Sequence, residues 1–319
     1  MGEVLVYVEL VDAQVSPGSQ RLLAFARQLA DSCNSSLTAL IASAERVEPG
    51  ALGPADVCAE VRHPALWPYV PEAHEAALGA AVRARAPDIV LVENTTVGLD
   101  LAGAVAMASD MPFVSYCVEL SVRSEDAHSK SEIYGGLLLA EVHTRLPAVF
   151  AMNSGALPDE PTAHPGRGEW AAIAPPAQLD SLRMTFVEPI EAADPGIDIT
   201  KADRLVCVGR GVGSAKDMAV AEELAAALRA ELAASRPVVD AGWAPRARQV
   251  GKSGSRVKPR LYLALGVSGA PEHVEGMRAS ELIVAVNTDP NAPIFNVAHF
   301  GAVADLFDVA EELSKLVGD

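Results

Sequence analysis

Polar turns follow two apolar runs in the last quarter of the chain, and their residue types suit the binding of a phosphorylated ligand. Ser268-Gly269-Ala270 follows the run Leu261 to Val267 and opens a helix, and Asn287 to Pro290 follows the run Glu281 to Val286. In an open α/β sheet, ligands lie at the carboxyl ends of the strands, where helix N-termini present free N–H groups to anions. The sequence therefore predicts a nucleotide or phosphate pocket here.

A third turn, Gly209 to Gly213, follows the predicted strand Arg204 to Val208. It does not fit the dinucleotide fingerprint, because Ser214 stands where the third glycine is required and no acidic residue ends a following strand in the usual way. The pattern therefore disfavours a nicotinamide dehydrogenase.

Length and charge limit the classes of function. A chain of 319 residues is long enough for about two domains. Its net charge of −17 argues against a nucleic-acid partner, since phosphate neutralisation requires a basic face. The four cysteines are scattered without CxxC pairs, so they predict neither a disulfide framework nor a metal site.

The chain also lacks the sequence marks of membrane insertion. No apolar stretch reaches the roughly 18 to 20 residues that a membrane span needs. The N-terminus starts a strand directly, without the basic and apolar regions of a signal peptide. We therefore expect no direct membrane insertion and a cytoplasmic location.

Strands alternate with helices of about ten residues in the first half of the chain. The predicted strands are 3–10, 37–42, 88–93 and 113–120, and the predicted helices are 20–32, 73–84 and 100–109. This alternation is typical of βαβ units on a mainly parallel sheet. A β-rich piece follows from Val118 to Phe150, with Tyr134-Gly135-Gly136 as its turn. A helix is predicted over Lys216 to Ala234.

The predicted fold class is α/β with two domains. Residues 1–197 form an N-terminal parallel-sheet α/β domain with a connecting segment, and residues 198–319 form a C-terminal Rossmann-like domain. The connection, from Asn153 to Pro195, is rich in Pro, Gly and Glu and is predicted to hold one short strand near Met184 to Val187. His164 within it is predicted to be an exposed loop residue, because no second metal ligand lies at a suitable spacing.

The turn Asn94 to Gly98 has two interpretations. It lies between a predicted strand and a predicted helix, which is the context of a phosphate-binding turn. No basic residue accompanies it, and Asn or Thr serves equally well as an N-cap. We favour an ordinary strand-to-helix turn.

Three ordered segments of the C-terminal part resemble one family. They read VGKSG at 250–254, VKPRLYLALGVSGAPEHVEGM at 257–277 and IVAVNTDPNAPIFNVAHFGAVADLF at 283–307. Together they are very similar to the flavin domain of the electron-transfer flavoprotein alpha subunit. The resemblance covers roughly residues 198 to 317, and the first part of the chain resembles the family more loosely.

The resemblance implies an FAD-dependent electron carrier. It implies a heterodimer with an electron-transfer flavoprotein beta subunit that holds AMP or a second FAD. The electron donors would be flavin dehydrogenases of the acyl-CoA type, as in fatty acid beta-oxidation, and the acceptor would be a quinone oxidoreductase. The sequence shows no nucleophile motif, metal set or paired carboxylates, so we expect no catalytic residue and no metal, as suits a redox carrier.

The resemblance also assigns cofactor-binding residues. They are Arg210, Ser235, Arg236, Val250, Gly251, Lys252, Ser253, Ser268, Gly269, Ala270, Pro271, Glu272, His273, Asn287, Asp305 and Leu306.

Individual roles follow from the matched positions. Ser268 to Ala270 would bind the pyrophosphate. Ser253 would lie near N5 of the ring, His273 would lie at its pyrimidine edge, and Asp305-Leu306 would reach the adenosine. Arg236 would lie beside the ring, where a guanidinium favours negative charge on the reduced flavin and raises its potential.

From the residues alone, Arg236 would be interpreted as a surface residue between a helix and a strand. Arg210 would be interpreted as a charged residue on an exposed turn. Lys252 can face either the ring or solvent. The solvent-facing alternative stays open because lysine is almost never fully buried without a partner.

Four departures from the family pattern lie in this region. Lys252-Ser253 replaces the usual Gln-Thr, Thr288 replaces a lysine, Pro271-Glu272 replaces Ile-Gln, and His299-Phe300 replaces Asp-Tyr. They suggest a divergent branch. Two alternatives therefore stay open, a subunit of an electron-bifurcating flavoprotein that uses NADH and a flavin-free nucleotide-binding module.

Overall fold

The chain divides into two compact units, Met1–Glu188 and Pro189–Asp319. A computed structural model describes residues 2–11, 13–47, 52–123, 125–134, 136, 138–158, 168–188 and 198–317. The predicted domain boundary at 197/198 and the division at 188/189 enclose residues outside this description, so the boundary stays a prediction. His164 and Gly135 also lie outside the described residues.

A nine-stranded sheet forms the framework of the first unit. Its strands in chain order are β1 (Glu3–Tyr7), β4 (Ser36–Ser43), β5 (Val57–Arg62), β6 (Ile89–Glu93), β7 (Phe113–Arg123), β8 (Asp126–Ile133), β9 (Leu138–Arg145), β10 (Ala148–Met152) and β11 (Glu169–Ile173), while β2 (Leu10–Val11) and β3 (Gln14–Val15) form a separate antiparallel pair. The spatial order is β11-β5-β4-β1-β6-β10-β7-β8-β9. All neighbours from β11 to β7 pair in parallel, whereas β7-β8 and β8-β9 are antiparallel.

Three helices cover the two faces of this sheet. They are α1 (Pro17–Ser32), α2 (Pro71–Arg85) and α3 (Thr96–Ser109). Leu22 of α1 lies in the core on one face, and Leu78 of α2 and Leu101 of α3 lie in the core on the other. Burial of both faces explains why the central strands read as continuous apolar runs.

The predicted α/β class is confirmed, and the first sheet is mixed rather than wholly parallel. β11 lies inside the stretch predicted as a connection and pairs in parallel with β5. The strand predicted near Met184 to Val187 is wrong, because that segment has no regular secondary structure and pairs with no strand among the described residues. At Asn94 to Gly98, the Thr95 hydroxyl accepts a hydrogen bond from the Gly98 N–H at 2.8 Å. The favoured N-cap interpretation is therefore confirmed.

A five-stranded parallel sheet forms the framework of the second unit. Its strands are β12 (Arg204–Val208), β13 (Glu231–Ala234), β14 (Leu261–Leu265), β15 (Ile283–Asn287) and β16 (Phe300–Val303), in the order β13-β12-β14-β15-β16. Its helices are α4 (Met218–Leu228), α5 (Arg236–Asp240), α6 (Pro271–Met277) and α7 (Leu306–Val317). The strand order reverses between β12 and β14, which is where ligands bind in such sheets.

Two expectations for the second unit are wrong in detail. The helix predicted over Lys216 to Ala234 ends at Leu228, because Arg229 adopts the left-handed conformation at φ 49° and the chain turns into β13. Arg236 was expected between a helix and a strand, and instead a strand precedes it and the short helix α5 begins at it. Among the described residues, no helix is both long and apolar enough to cross a membrane.

Candidate cofactor site

Three glycines bring the ends of β12 and β14 into direct backbone contact. A Cβ on Gly209 would lie 2.1 Å from the carbonyl oxygen of Gly266, and one on Gly211 would lie 2.9 Å from the Gly266 Cα. Gly266 itself has φ +63°, a conformation that favours glycine. The absence of Cβ atoms therefore lets the two strand ends pack backbone against backbone at the carboxyl edge of the sheet.

The loop after β14 presents free backbone donors. The N–H groups of Ser268, Gly269 and Ala270 donate no hydrogen bond to another described residue. Gly269 has φ +84°, and a Cβ there would lie 2.2 Å from the Ile294 nitrogen. Pro271 follows as the first residue of α6. This arrangement suits an anion, because unpaired N–H groups converge where a helix begins.

Asn287 supports this loop from the next strand. Its Nδ2 donates to the Val267 carbonyl at 2.9 Å, and its Oδ1 accepts from the Asp289 N–H at 3.0 Å. Asn287 is therefore beside the predicted phosphate turn, and its amide positions the backbone that precedes Ser268.

The loop from Gln249 to Ser255 packs on the start of α6. The Lys252 N–H donates to the Glu272 carbonyl at 2.8 Å, and a Cβ on Gly276 would lie 2.5 Å from the Gly251 Cα. The Gln249 side chain donates to the Ser253 hydroxyl at 2.9 Å. Val250 to Ser253 and Glu272-His273, separated by about twenty residues in sequence, thus form one surface.

His273 is buried rather than at the surface. Its Nε2 lies 2.9 Å from the Tyr262 hydroxyl and 3.9 Å from the Cys207 sulfur. Its Nδ1 faces the Val250 backbone without a hydrogen bond of normal geometry. Burial lowers the pKa of His273 to about 4, so the imidazole is neutral at neutral pH.

The two predicted arginines are exposed. Arg236 Nε lies 3.3 Å from an Asp240 carboxylate oxygen one helical turn away, and both side chains are more than half exposed. Ser235 is buried at the end of β13, where its N–H donates to the Val208 carbonyl at 2.9 Å. Arg210 is the second residue after the end of β12, with Gly209 between them. All three residues thus lie at the carboxyl edge of the sheet.

Leu306 connects the last predicted pair to the glycine contact. A Cβ on Gly266 would lie 2.9 Å from Leu306 Cδ2, so Leu306 packs directly on the β14 turn. Asp305 caps α7, because its carboxylate accepts from the Phe307 N–H at 2.9 Å.

Most of the sixteen predicted residues therefore fall into three groups at one sheet edge, and Arg210, Ser235 and Arg236 lie at the same edge outside these groups. The glycine contact with Leu306, the Ser268 loop and the Gln249 to Ser255 loop are each built by contacts across the sequence. The sequence interpretation missed Tyr262 and Cys207, which contact His273 from inside the sheet. A hydroxyl within the otherwise apolar run of β14 was the available signal for Tyr262.

FAD fits these residues. The Ser268 to Ala270 donors suit a pyrophosphate, because they are backbone N–H groups without partners among the described residues and lie where a helix begins. The His273 Nδ1 is a buried polar atom without a partner beside the Val250 loop. This nitrogen faces the Val250 backbone, which ties His273 to the loop that carries Lys252 and Ser253.

Comparison with known proteins agrees with this geometry. Residues 198–278 match the electron transfer flavoprotein FAD-binding domain, and residues 4–178 match the electron transfer flavoprotein domain. Protein FixB of Rhizobium meliloti strain 1021 is 33% identical over 98% of this chain and 92% of its own. The electron transfer flavoprotein subunit alpha of Mycobacterium leprae is 37% identical over 74% of this chain and 73% of its own.

Two further similarities differ in how much they support a conclusion about this chain. The LctC subunit of an Acetobacterium woodii lactate dehydrogenase (NAD(+),ferredoxin) is 31% identical over 98% of this chain and 76% of its own. Among solved structures, a thiamine diphosphate-dependent 4-hydroxybenzoylformate decarboxylase of Rhodococcus jostii RHA1 is 15% identical over 93% of this chain and 54% of that one. Its TM-score of 0.25 supports no conclusion.

Fold, site and sequence together define a flavin-dependent electron-transfer protein with an FAD-binding domain. The chain belongs to the electron transfer flavoprotein alpha-subunit family. Membership in that family implies pairing with a beta subunit.

Proposed function

We propose that this chain holds the FAD of a heterodimeric carrier that takes electrons from flavin dehydrogenases of the acyl-CoA type and passes them to a quinone oxidoreductase. The observation that carries the proposal is the set of unpaired N–H groups at Ser268 to Ala270, next to the contact between Gly209 and Gly266. Such a surface binds a pyrophosphate through backbone alone. A cytoplasmic location is part of the proposal.

FAD, when bound, supplies the one-electron chemistry, and the protein residues set its position and electrostatic environment. Ser253 is exposed, and its hydroxyl accepts from Gln249, so its own proton is available to a ring atom. Arg236 supplies positive charge at the same sheet edge. His273 offers a neutral ring nitrogen, whose orientation Tyr262 holds through Nε2.

The cofactor content of the heterodimer tests the proposal. The chain is purified with its beta subunit, the cofactors are released with acid, and FAD and AMP are quantified by chromatography. We expect one FAD and one AMP per heterodimer. A complex without FAD, even after incubation with excess FAD, would refute the proposal and favour the flavin-free nucleotide-binding module.

The residue assignment is tested separately. Gly269→Ala places a methyl group against the Ile294 backbone and should release FAD from the complex. Gly103→Ala is the matched control, because its Cβ has nothing within 4 Å. Retention of FAD by Gly269→Ala would contradict the placement of the pyrophosphate at this loop.

A bifurcating subunit is the second candidate function. The likeness to LctC favours it, because that relative is named as part of an enzyme that uses NAD(+) and ferredoxin. In this case the heterodimer would contain two FAD and no AMP, and NADH would reduce it under anaerobic conditions. One FAD with one AMP, together with no reduction by NADH, would exclude this alternative.

A further inference from the structure

The first unit contains a cavity whose residues are far in sequence from those assigned to FAD. It has a volume of about 380 Å³ and lies at the carboxyl ends of β1 and β4. Its lining includes Tyr7, Glu9, Leu66, Trp67, Tyr69 and His74. The strand order of the first sheet reverses at β1, with β4 on one side and β6 on the other. This is again the position where α/β sheets bind ligands.

The wall of the cavity is aromatic and fixed by hydrogen bonds. The Tyr7 hydroxyl lies 2.6 Å from Nδ1 of His74, and Nε2 of His74 lies 3.1 Å from the Leu66 carbonyl. The Tyr69 ring packs on His74 with the ring centroids 4.7 Å apart. Because a carbonyl can only accept, Nε2 carries a proton, and because burial lowers the pKa of His74 to about 4, Nδ1 is unprotonated at neutral pH and accepts from Tyr7. The imidazole is therefore neutral.

Two polar groups in the cavity lack partners for part of their hydrogen-bonding capacity. The Tyr69 hydroxyl oxygen is buried and has no hydrogen-bond partner among the described residues. The Glu9 carboxyl accepts from the Thr95 hydroxyl through one oxygen at 2.5 Å, and its second oxygen bonds to no described residue. Buried polar groups without partners are rare, so the Tyr69 hydroxyl points to a ligand that can hydrogen-bond with it, and the half-buried Glu9 carboxyl can accept from N–H or O–H donors of the same ligand.

A phosphate is disfavoured at this position. The Glu93 carboxylate lies against the first turn of α1, so that a Cβ on Gly18 would fall 1.8 Å from a Glu93 oxygen. Ser154 donates to Glu93 at 2.7 Å and holds it there. The first helix of a dinucleotide-binding unit is where a phosphate would lie. The side chain of Glu93 occupies that place, so it leaves no room there for a phosphate.

The charged residues at the cavity mouth do not favour a phosphate either. Glu45 and Arg46 also line the cavity, and both are exposed. The Arg46 guanidinium carbon lies 5.4 Å from the centroid of the Trp170 ring, in a cation–π contact. Trp67 is 57% exposed at the same mouth, where it offers a stacking surface.

We infer that this cavity is a binding site for an uncharged purine base or nucleoside without phosphate, with Tyr69 and Glu9 as its hydrogen-bonding residues. A purine presents N–H donors and ring acceptors on one edge, which suits a carboxyl group and a phenol, and its flat faces suit the aromatic wall. The volume is in the range of small-molecule pockets.

Binding of radiolabelled adenosine to the FAD-loaded heterodimer, measured by equilibrium dialysis, tests the inference. Tyr69→Phe removes only the unpaired hydroxyl, and Glu9→Gln removes the ability to become an anionic acceptor. Tyr134→Phe and Glu119→Gln, at exposed positions of the same unit, are the matched controls. The difference in bound adenosine between the wild type and the cavity variants measures binding in this cavity. Adenosine that binds at the FAD or AMP sites does not contribute to this difference.

We expect Tyr69→Phe and Glu9→Gln each to weaken this adenosine binding about tenfold, the change expected for one lost hydrogen bond to a buried group. The two controls should bind as the wild type does. AMP should compete for this site at least tenfold less well than adenosine.

Three results would overturn the inference. The first is no saturable adenosine binding up to about 1 mM, the weak limit of specific small-ligand affinity. The second is equal binding by the wild type and both cavity variants. The third is AMP competing as well as or better than adenosine, which would show that Glu93 does not exclude phosphate. FAD content is unaffected by any of these outcomes, so this test is independent of the proposed function.

Discussion

Among the residues proposed for the cofactor site, His273 is held in place by a tyrosine from inside the sheet. Tyr262 is fully buried, and its hydroxyl contacts Nε2 of His273. The remaining nitrogen, Nδ1, faces the Val250 loop. The tyrosine therefore determines which nitrogen of the histidine is available on that side.

We expect Tyr262→Phe to lower the free energy of unfolding by about 1–3 kcal/mol, because Nε2 of His273 loses its buried partner. Denaturant unfolding measures this, with Tyr134→Phe as a control, since Tyr134 is 75% exposed. Nitrogen NMR of labelled His273 should show a changed tautomer population. An unchanged spectrum would mean that Tyr262 does not orient the ring.

The charge of Arg236 is shared with Asp240. With Arg236 beside the ring, as proposed, Arg236→Ala should lower the flavin reduction potential, because it removes a positive charge. Asp240→Asn should raise the potential, because the guanidinium is no longer neutralised. Anaerobic redox titration measures both. Arg123→Ala, in the first unit, serves as the control, and equal potentials for Arg236→Ala and wild type would remove Arg236 from the ring.

At the scale of elements, the ends of β12 and β14 depend on backbone contact. Gly209→Ala would place a methyl group 2.1 Å from the Gly266 carbonyl oxygen, and the strand ends must separate to accept it. We expect a loss of about 1–3 kcal/mol of stability, as for other overpacked sites. Thermal unfolding of the heterodimer measures it. Gly103→Ala, within α3, should instead be neutral or slightly stabilising, and similar melting temperatures for the two variants would contradict the close contact.

The elements show why some of the fold was predictable from sequence and some was not. The buried strands β6, β12 and β14 were recognised, because continuous apolar runs next to glycine-rich turns mark the interior of parallel sheets. The end of α4 was missed, because Ala, Leu and Glu favour helix through Ala234, and pairing with β12 determines that β13 is a strand. β11 was missed because its partner β5 is more than 100 residues earlier in the chain.

For the candidate cofactor site, the sequence proposes residues, whose contact with FAD stays a prediction, and it gives no geometry. Motif order selects Ser268 and His273, but it could not show that His273 is buried against Tyr262. That contact joins two elements across the sheet, and no local pattern encodes it.

At the scale of the whole molecule, buried titratable groups set how stability depends on pH. Burial raises the pKa of Glu9 to about 7, from 4.5 in the unfolded chain. Between these values the folded state keeps a proton that the unfolded state releases, so the contribution to stability falls as the pH rises. Burial lowers the pKa of His74 and His273 to about 4 from 6.5, so their contribution is lost as the pH falls from 6.5 to 4.

We therefore expect Glu9→Gln to stabilise the protein at pH 8 by up to about 3 kcal/mol and to leave its stability at pH 4.5 nearly unchanged. Glutamine can still accept the hydrogen bond from Thr95, so the packing is preserved. Chemical denaturation across this pH range measures the effect, with Glu119→Gln as an exposed control. A constant difference at all pH values would show that Glu9 does not titrate between 4.5 and 7.

The pairing of β11 with β5 has a consequence for synthesis on the ribosome. After β10 the chain returns to the opposite border of the sheet, where Glu169–Ile173 covers a strand that ends at Arg62. Until residue 173 has left the exit tunnel, β5 presents an uncovered border that can pair with another chain. The first unit therefore cannot complete its sheet during translation of its first half. A nascent chain halted before Glu169 should be the species that most needs chaperone protection.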